Sequence, residues 1–299
     1  MPYRRPNLRP TTRTASAPGR RGRRAGLCAV LLTGFVTTAF AAGAVGPAAA
    51  ADTGTDTGTT PATAAAQGEA RVTTAVLDLD HPTAKPQLRG KDVPYDTASI
   101  VKVDILSALL LQAQDAGRGL TQQERTLAEA MIEHSDNDAA NALWREIGQA
   151  PGLKAVNKRL GLSSTVGGTG GLWGLTRTTA SDQIGLLRAV FAADGTAFAT
   201  RPALTTASRT YIRTLMTRIA TDQSWGVSAA SDSAWALKNG WLQRTTTGLW
   251  DVNSVGQVTS GTHHYLVAVL SDGNTSMATG IKTVENAART AVTSARAAG

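Results

Sequence analysis

From residue 72 onwards, apolar and polar positions repeat with two different periods, and the change from one to the other marks out the elements. Residues 72–80 alternate with period two and predict a strand. Residues 99–114 place Val101, Ile105, Leu106, Leu109 and Leu110 at helical spacing, as a buried helix requires. A second helix starts after Leu120, where Thr121 and Glu124 have the spacing of a capping box. Further helices are predicted over 138–147, 153–160, 180–191 and 206–219. The pattern then returns to strands over 234–242, 250–258 and 265–270 and closes with a helix over 281–297. One strand, a block of helices, three strands and a last helix predict an α+β architecture. In it, N- and C-terminal segments share one antiparallel sheet, flanked by helices, beside an all-helical subdomain. There is no internal repeat.

The first 70 residues follow neither period. Residues 25–46 form a run rich in Ala, Val, Leu and Phe, preceded by arginines and followed by Pro47-Ala48-Ala49-Ala50-Ala51-Asp52. This reads as a secretory signal peptide over 1–51 with a small-residue cleavage site. The content of Ala, Gly and Thr and the Ala-rich end favour cleavage over a permanent anchor. Arg23-Arg24 leaves the export route, general or twin-arginine, open. Residues 52–70, built from Thr, Gly, Asp and Ala, have no apolar face to bury and read as a disordered linker. Residues 71–299 remain for the folded domain, and the expected location is outside the cell, on the cell-wall side.

Charge changes meaning once that division is made. The chain has 30 Lys plus Arg against 22 Asp plus Glu, but eight of the arginines lie in residues 1–51, which hold no acid. Removing those eight leaves 22 bases against 22 acids in the body, which excludes the electrostatic case for a nucleic-acid partner. The single cysteine, Cys28, falls inside the signal, so the exported chain has no thiol for disulfides, catalysis or metal binding. No cofactor and no membrane anchor after cleavage are expected, and the domain is expected to be a monomer.

Three short motifs carry the chemistry: Ser99-Ile100-Val101-Lys102, Ser135-Asp136-Asn137 and Lys238-Asn239-Gly240. S-x-x-K alone is common by chance; the weight comes from the order of the three and from the elements they occupy. With Asp96 or Thr97 as cap, Ser99 falls in a first helical turn, where free N–H groups favour developing negative charge. Lys102, three residues on, shares its face and can take the Ser99 proton if burial and a second cation, Lys238, lower its pKa. Ser135 would pass a proton to a leaving nitrogen, and Asn137 would hold Lys102 and a substrate amide carbonyl, with Asp136 structural. A lysine and a glycine inside an apolar strand are poor packing choices, so Lys238 is expected to bind a substrate carboxylate. Gly240 would let a ligand backbone approach. The Trp241 N–H would pair with that of Ser99 as an oxyanion hole.

With these residues in view the chain resembles a class A β-lactamase-related serine hydrolase of the penicillin-binding superfamily. The resemblance covers nearly everything after residue 70 and includes the stretch Asn253-Ser254-Val255-Gly256. It implies acylation of Ser99 by a β-lactam or a D-alanyl peptide, followed by attack of water. Three departures qualify it. The loop over 161–177 contains no acid, whereas class A enzymes keep a glutamate there to activate the deacylating water, so slow turnover is expected. Asn239 stands where the family has Thr or Ser, and its amide would supply the missing hydrogen bond to a substrate carboxylate. The segment between Lys102 and Ser135 is short, which suggests an open site. Three functions therefore remain: hydrolysis of β-lactam-type amides, peptidase or esterase action on peptidoglycan, or a binding module without turnover.

Weaker features complete the reading. Asp182 reads as a helix-start residue beside the Thr179 cap, and His134 as a partly buried structural histidine. His263-His264 follows Gly261-Thr262 in a predicted hairpin turn, and with no third ligand in view no metal site is expected. Trp173, Trp225, Trp241 and Trp250 are candidates for an apolar pocket, although aromatics in such numbers usually fill core.

Overall fold

The structure is a computed structural model, and it describes residues 69–81, 85–193 and 203–298. The predicted signal and nearly all of the predicted linker lie outside the described residues.

In chain order the elements are β1 (Arg71–Asp78), β2 (Gln87–Arg89), β3 (Tyr95–Asp96), a 3-10 turn (Ala98–Ile100), α1 (Val101–Asp115) and α2 (Gln122–Glu133). Next come α3 (Asn137–Glu146), α4 (Gln149–Leu160), β4 (Arg177–Thr178), α5 (Ala180–Phe191) and α6 (Thr206–Met216). The chain closes with β5 (Trp235–Gln243), β6 (Trp250–Ser260), β7 (His263–Asn274) and α7 (Met277–Ala298). The main sheet has the order β2-β1-β7-β6-β5 with antiparallel pairing throughout, so the first strand pairs with the last and closes the two ends of the domain together. β3 and β4 form a separate two-stranded ribbon that the sequence pattern does not announce.

Alternation along β7 decides how the layers pack. Leu266, Ala268 and Leu270 join the core with α1, α2, α3, α5 and α6, while Tyr265, Val267 and Val269 join a second core under α7. A sheet covered on both faces needs apolar residues at successive positions, and that is why β7 reads as a nearly continuous apolar run. α1 is buried on all sides, Lys102 and Asp104 included, as an all-round apolar helix must be. The helix ends follow local signals. Thr121 and Glu124 form both bonds of the capping box, and Asp136 caps α3 by accepting from Ala139 N–H at 2.7 Å. Among the described residues no helix is long and apolar enough to cross a membrane.

Candidate active site

The predicted first helical turn is a 3-10 turn, and α1 proper begins only at Val101. Ser99 lies in that turn and Lys102 in the first turn of α1, and the i, i+3 spacing still puts them on neighbouring positions of one face. Neither expected cap acts as one. Thr97 occupies the cap position without a side-chain bond, and the Asp96 carboxylate pairs with Arg244 and, at 3.7 Å, with Arg177.

The turn is held from two sides by the backbone. Thr97 N–H donates to the Thr176 carbonyl at 2.8 Å, and Asn253 Nδ2 donates to the carbonyls of Asp96 and Thr97 at 2.9 and 3.1 Å. Asn253 Oδ1 in turn accepts from Ser271 N–H, which ties the turn to β6 and β7. Sequence reading quoted Asn253 only as part of a supporting stretch; its role as a clamp depends on a contact 156 residues away.

Gly240 packs directly on this turn. A Cβ at Gly240 would lie 2.7 Å from Ser99 N and Thr97 O and 2.8 Å from Ile100 N. The backbone that requires glycine here is therefore the protein's own, a correction to the expected approach of a ligand. Ala98, just before the serine, has φ 46°, and Ser135 has φ 56°. Left-handed backbone at non-glycine residues costs on the order of 1–3 kcal/mol each and concentrates at functional sites. Among the described residues the Ser99 N–H and hydroxyl make no hydrogen bond, and Ser99 is half-buried.

Lys102 Nζ donates to Ser135 O at 2.6 Å, Ser135 Oγ at 3.1 Å and Asn137 Oδ1 at 2.8 Å. The face of Trp173 covers the same ammonium at 4.8 Å, and the indole Nε1–H donates to Asn141 Oδ1 at 2.8 Å. Burial brings the Lys102 pKa down to about 7, partly opposed by the nearby Asp136 carboxylate. Lys238 is fully buried, and burial followed by repulsion from Lys102 holds its pKa well below the usual lysine value. Repulsion thus acts on Lys238, while burial dominates at Lys102.

Two sequence expectations on β5 change. Along β5 the side chains alternate, so Lys238 and Gly240 face the Ser99 turn while Asn239 points to the other side. Asn239 is fully buried, and its Nδ2 is committed to the carbonyls of Gln223 at 2.8 Å and Trp225 at 2.9 Å. Its amide hydrogens are not free for a substrate carboxylate. Lys238 Nζ donates to Asn239 O at 3.2 Å and lies 3.5 Å from Gln223 Oε1, so a carboxylate could reach it only if the Gln223 segment moved aside. Trp241 is half-buried, with its ring 5.9 Å from that of Trp225.

The acid-free loop is folded back on the site. Val166 and Arg177 exchange backbone hydrogen bonds at 2.8 and 2.9 Å, and Trp144 Nε1 donates to Gly170 O at 2.6 Å. Asp182, the acid that follows this loop, accepts from Ser164 N–H and Thr165 Oγ at 2.8 and 2.7 Å, and so fastens the loop's start. Trp173 was named from the sequence only as a candidate for an apolar pocket and Asn141 was not placed in the site; a lone tryptophan in a glycine-rich loop was the available signal. His134 is exposed, contrary to expectation, and ends α2.

The profile of the "Beta-lactamase enzyme family" matches residues 119–295, a stretch that includes Ser135 and Lys238 but starts after Lys102. The chain is 30% identical over 112 residues to "Putative lipoprotein LppW" of Mycobacterium tuberculosis, a match covering 38% of this chain and 36% of that protein, so about a third of the relative is spanned. In fold it is similar to a β-lactamase from Chitinophaga pinensis, with TM-score 0.64, 17% identity, and 75% of this chain and 94% of that one covered. It is also similar to PBP-A, with TM-score 0.62, 18% identity, and 78% and 92% covered. With the profile spanning more than half of the 299 residues and the shared fold, the chain belongs to the beta-lactamase enzyme family.

Proposed function

We propose that the protein is an exported serine hydrolase that is acylated at Ser99 by β-lactam-type amides and releases the acyl group slowly. The observation that carries this reading is the buried Lys102 ammonium, hydrogen-bonded to Ser135 and Asn137 and with its pKa brought down to about 7, three residues from Ser99, whose hydroxyl makes no hydrogen bond among the described residues.

In the proposed sequence neutral Lys102 accepts the Ser99 hydroxyl proton as Oγ bonds to the amide carbonyl carbon. The developing oxyanion is held by the N–H groups of Ser99 and Trp241. As the C–N bond breaks, Ser135 Oγ–H protonates the leaving nitrogen and is reprotonated from Lys102, to which it is already hydrogen-bonded. Asn137 orients Lys102 and the substrate amide. Slow release is supported by the loop: it supplies no carboxylate, and the Trp173 indole covers Lys102 where a water-activating base would have to work.

Intact-protein mass spectrometry after mixing with a penicillin tests the reading. A long-lived adduct of the penicillin's mass, absent in Ser99→Ala, is expected. An unchanged label in Ser99→Ala would overturn the assignment of the nucleophile, and a fleeting adduct with continuous ring loss would overturn slow release.

A further inference from the structure

At the opposite edge of the chemistry, the end of β1 meets the start of β7. Asp78 is paired in register with Tyr265, and Leu79 N–H donates to the His264 carbonyl at 2.8 Å. This juxtaposition supplies what the sequence lacked around His263: two more ligand groups, Asp78 and His81, from 185 and 182 residues earlier in the chain. His263 itself is the first residue of β7 rather than part of the turn, so a rigid strand carries it.

Asp78 Oδ2 receives the Nδ1 atoms of both His81, at 2.9 Å, and His263, at 2.8 Å. Its Oδ1 is fixed by Asp80 N–H at 2.9 Å, which aims Oδ2 between the two imidazoles. The three ligand atoms lie within 4.8 Å of one another, and the two imidazole rings are 5.3 Å apart, tilted by 40°. His263 is braced from behind by the ring of Tyr265, stacked at 6.0 Å. The cluster borders a cavity of about 440 Å³ whose wall includes Ser260, Thr262 and Arg296.

We propose that Asp78, His81 and His263 bind a divalent first-row transition ion of the Zn2+ type, with a fourth position open to the cavity. Two imidazoles and a carboxylate are donors that such ions favour. A tetrahedral ion with bonds of about 2.0–2.1 Å needs ligand atoms roughly 3.4 Å apart, between the 2.8 Å and 4.8 Å limits seen here, so small side-chain rotations suffice. On binding, any proton on Nδ1 moves to Nε2 or to solvent, and the contacts of the two imidazoles with Asp78 are exchanged for three metal bonds. Asp78 is mostly buried, with its side chain 11% exposed, while the two histidines are open enough to admit the ion. Arg296 is the unfavourable neighbour: it donates to Ser260 Oγ at 3.3 Å on the wall of the same cavity. The bound ion would clip the segment after β1 to β7, with β6 between β7 and β5.

The test uses the full, untagged chain, titrated with Zn2+ and with Co2+, reading stoichiometry, the visible bands of tetrahedral Co2+ and thermal midpoint. One ion per chain and a midpoint that rises with Zn2+ concentration are expected. His81→Ala, His263→Ala and Asp78→Asn should each weaken binding by about a hundredfold or more, above the 10–100-fold that loss of an outer partner costs. His264→Ala should leave binding intact, and Arg296→Gln should tighten it. No bound ion, or binding kept in His263→Ala and Asp78→Asn, would overturn the site; so would loss in His264→Ala. Far-UV circular dichroism and the metal-free thermal midpoint of each variant report folding independently of the metal and of the Ser99 chemistry.

Discussion

A lysine can take a proton from a serine only when it is itself neutral. Lys102 comes near that state at about pH 7 because burial outweighs the raising influence of the Asp136 carboxylate. Below that value the ammonium form dominates and cannot act as base, so the rate of adduct formation should rise with pH through about 7 and level off above it. Following the penicillin adduct by mass spectrometry on both sides of pH 7 checks this, and a flat profile would remove Lys102 as the base. Lys102→Arg, which stays charged, should slow acylation by about 10²-fold or more. At this scale part was legible: Ser99, Lys102, Ser135 and Asn137 were named from their motifs, and the structure joins Lys102, Ser135 and Asn137 by hydrogen bonds. The failures concern side chains whose partners come from far along the chain. Asn239 looked like a substrate donor because nothing local reveals that the carbonyls of Gln223 and Trp225 consume its hydrogens.

Among the elements, the proposed slow release of the acyl group rests on the loop between α4 and β4. Its glycines let it turn tightly: a Cβ at Gly168 would lie 2.0 Å from Leu172 O. That folding delivers Trp173 onto Lys102. Trp173→Glu would put a carboxylate beside Lys102, where it could activate water, and should accelerate loss of the penicillin adduct by at least about tenfold, within the 10²–10⁴ range of general-base effects. Trp173→Ala, which uncovers Lys102 without supplying a base, is the control. Equal adduct lifetimes in the two variants would show that the loop does not govern release. Helices and strands were legible here because periodicity and caps such as Thr121 with Glu124 are local. The β3–β4 ribbon and the 3-10 turn were not. Two-residue strands carry no period, and the turn's geometry is imposed by Gly240 and by the Thr97–Thr176 bond.

At the scale of the whole molecule, closing the sheet through β1 and β7 and driving α1 through the middle buries titratable groups that neither layer could expose. Asp104, two residues beyond Lys102, is fully buried; it accepts from Asn157 Nδ2 at 2.9 Å, and its Oδ1 has no partner among the described residues. Burial, reinforced by Asp182 and only partly offset by Asn157, raises its pKa to about 7. In the unfolded chain an aspartate ionises near pH 4. Between about pH 4 and 7 the unfolded state has therefore lost a proton that the folded state keeps, and stability falls as pH rises, by a few kcal/mol over the interval. The buried lysine works in the other window. Lys102 is charged in both states below about 7, so its penalty is constant there, and the penalty is relieved only as pH climbs from 7 towards the unfolded value of 10.5. Opposite slopes on the two sides place a minimum of stability near neutrality. Asp104→Asn keeps an acceptor for Asn157 without the charge, so it should stabilise the protein at about pH 7, do little at about pH 4, and flatten the acid-side slope. Urea unfolding of both proteins at those two pH values measures the difference; parallel pH dependences would mean that Asp104 ionises in the folded state as readily as in the unfolded one.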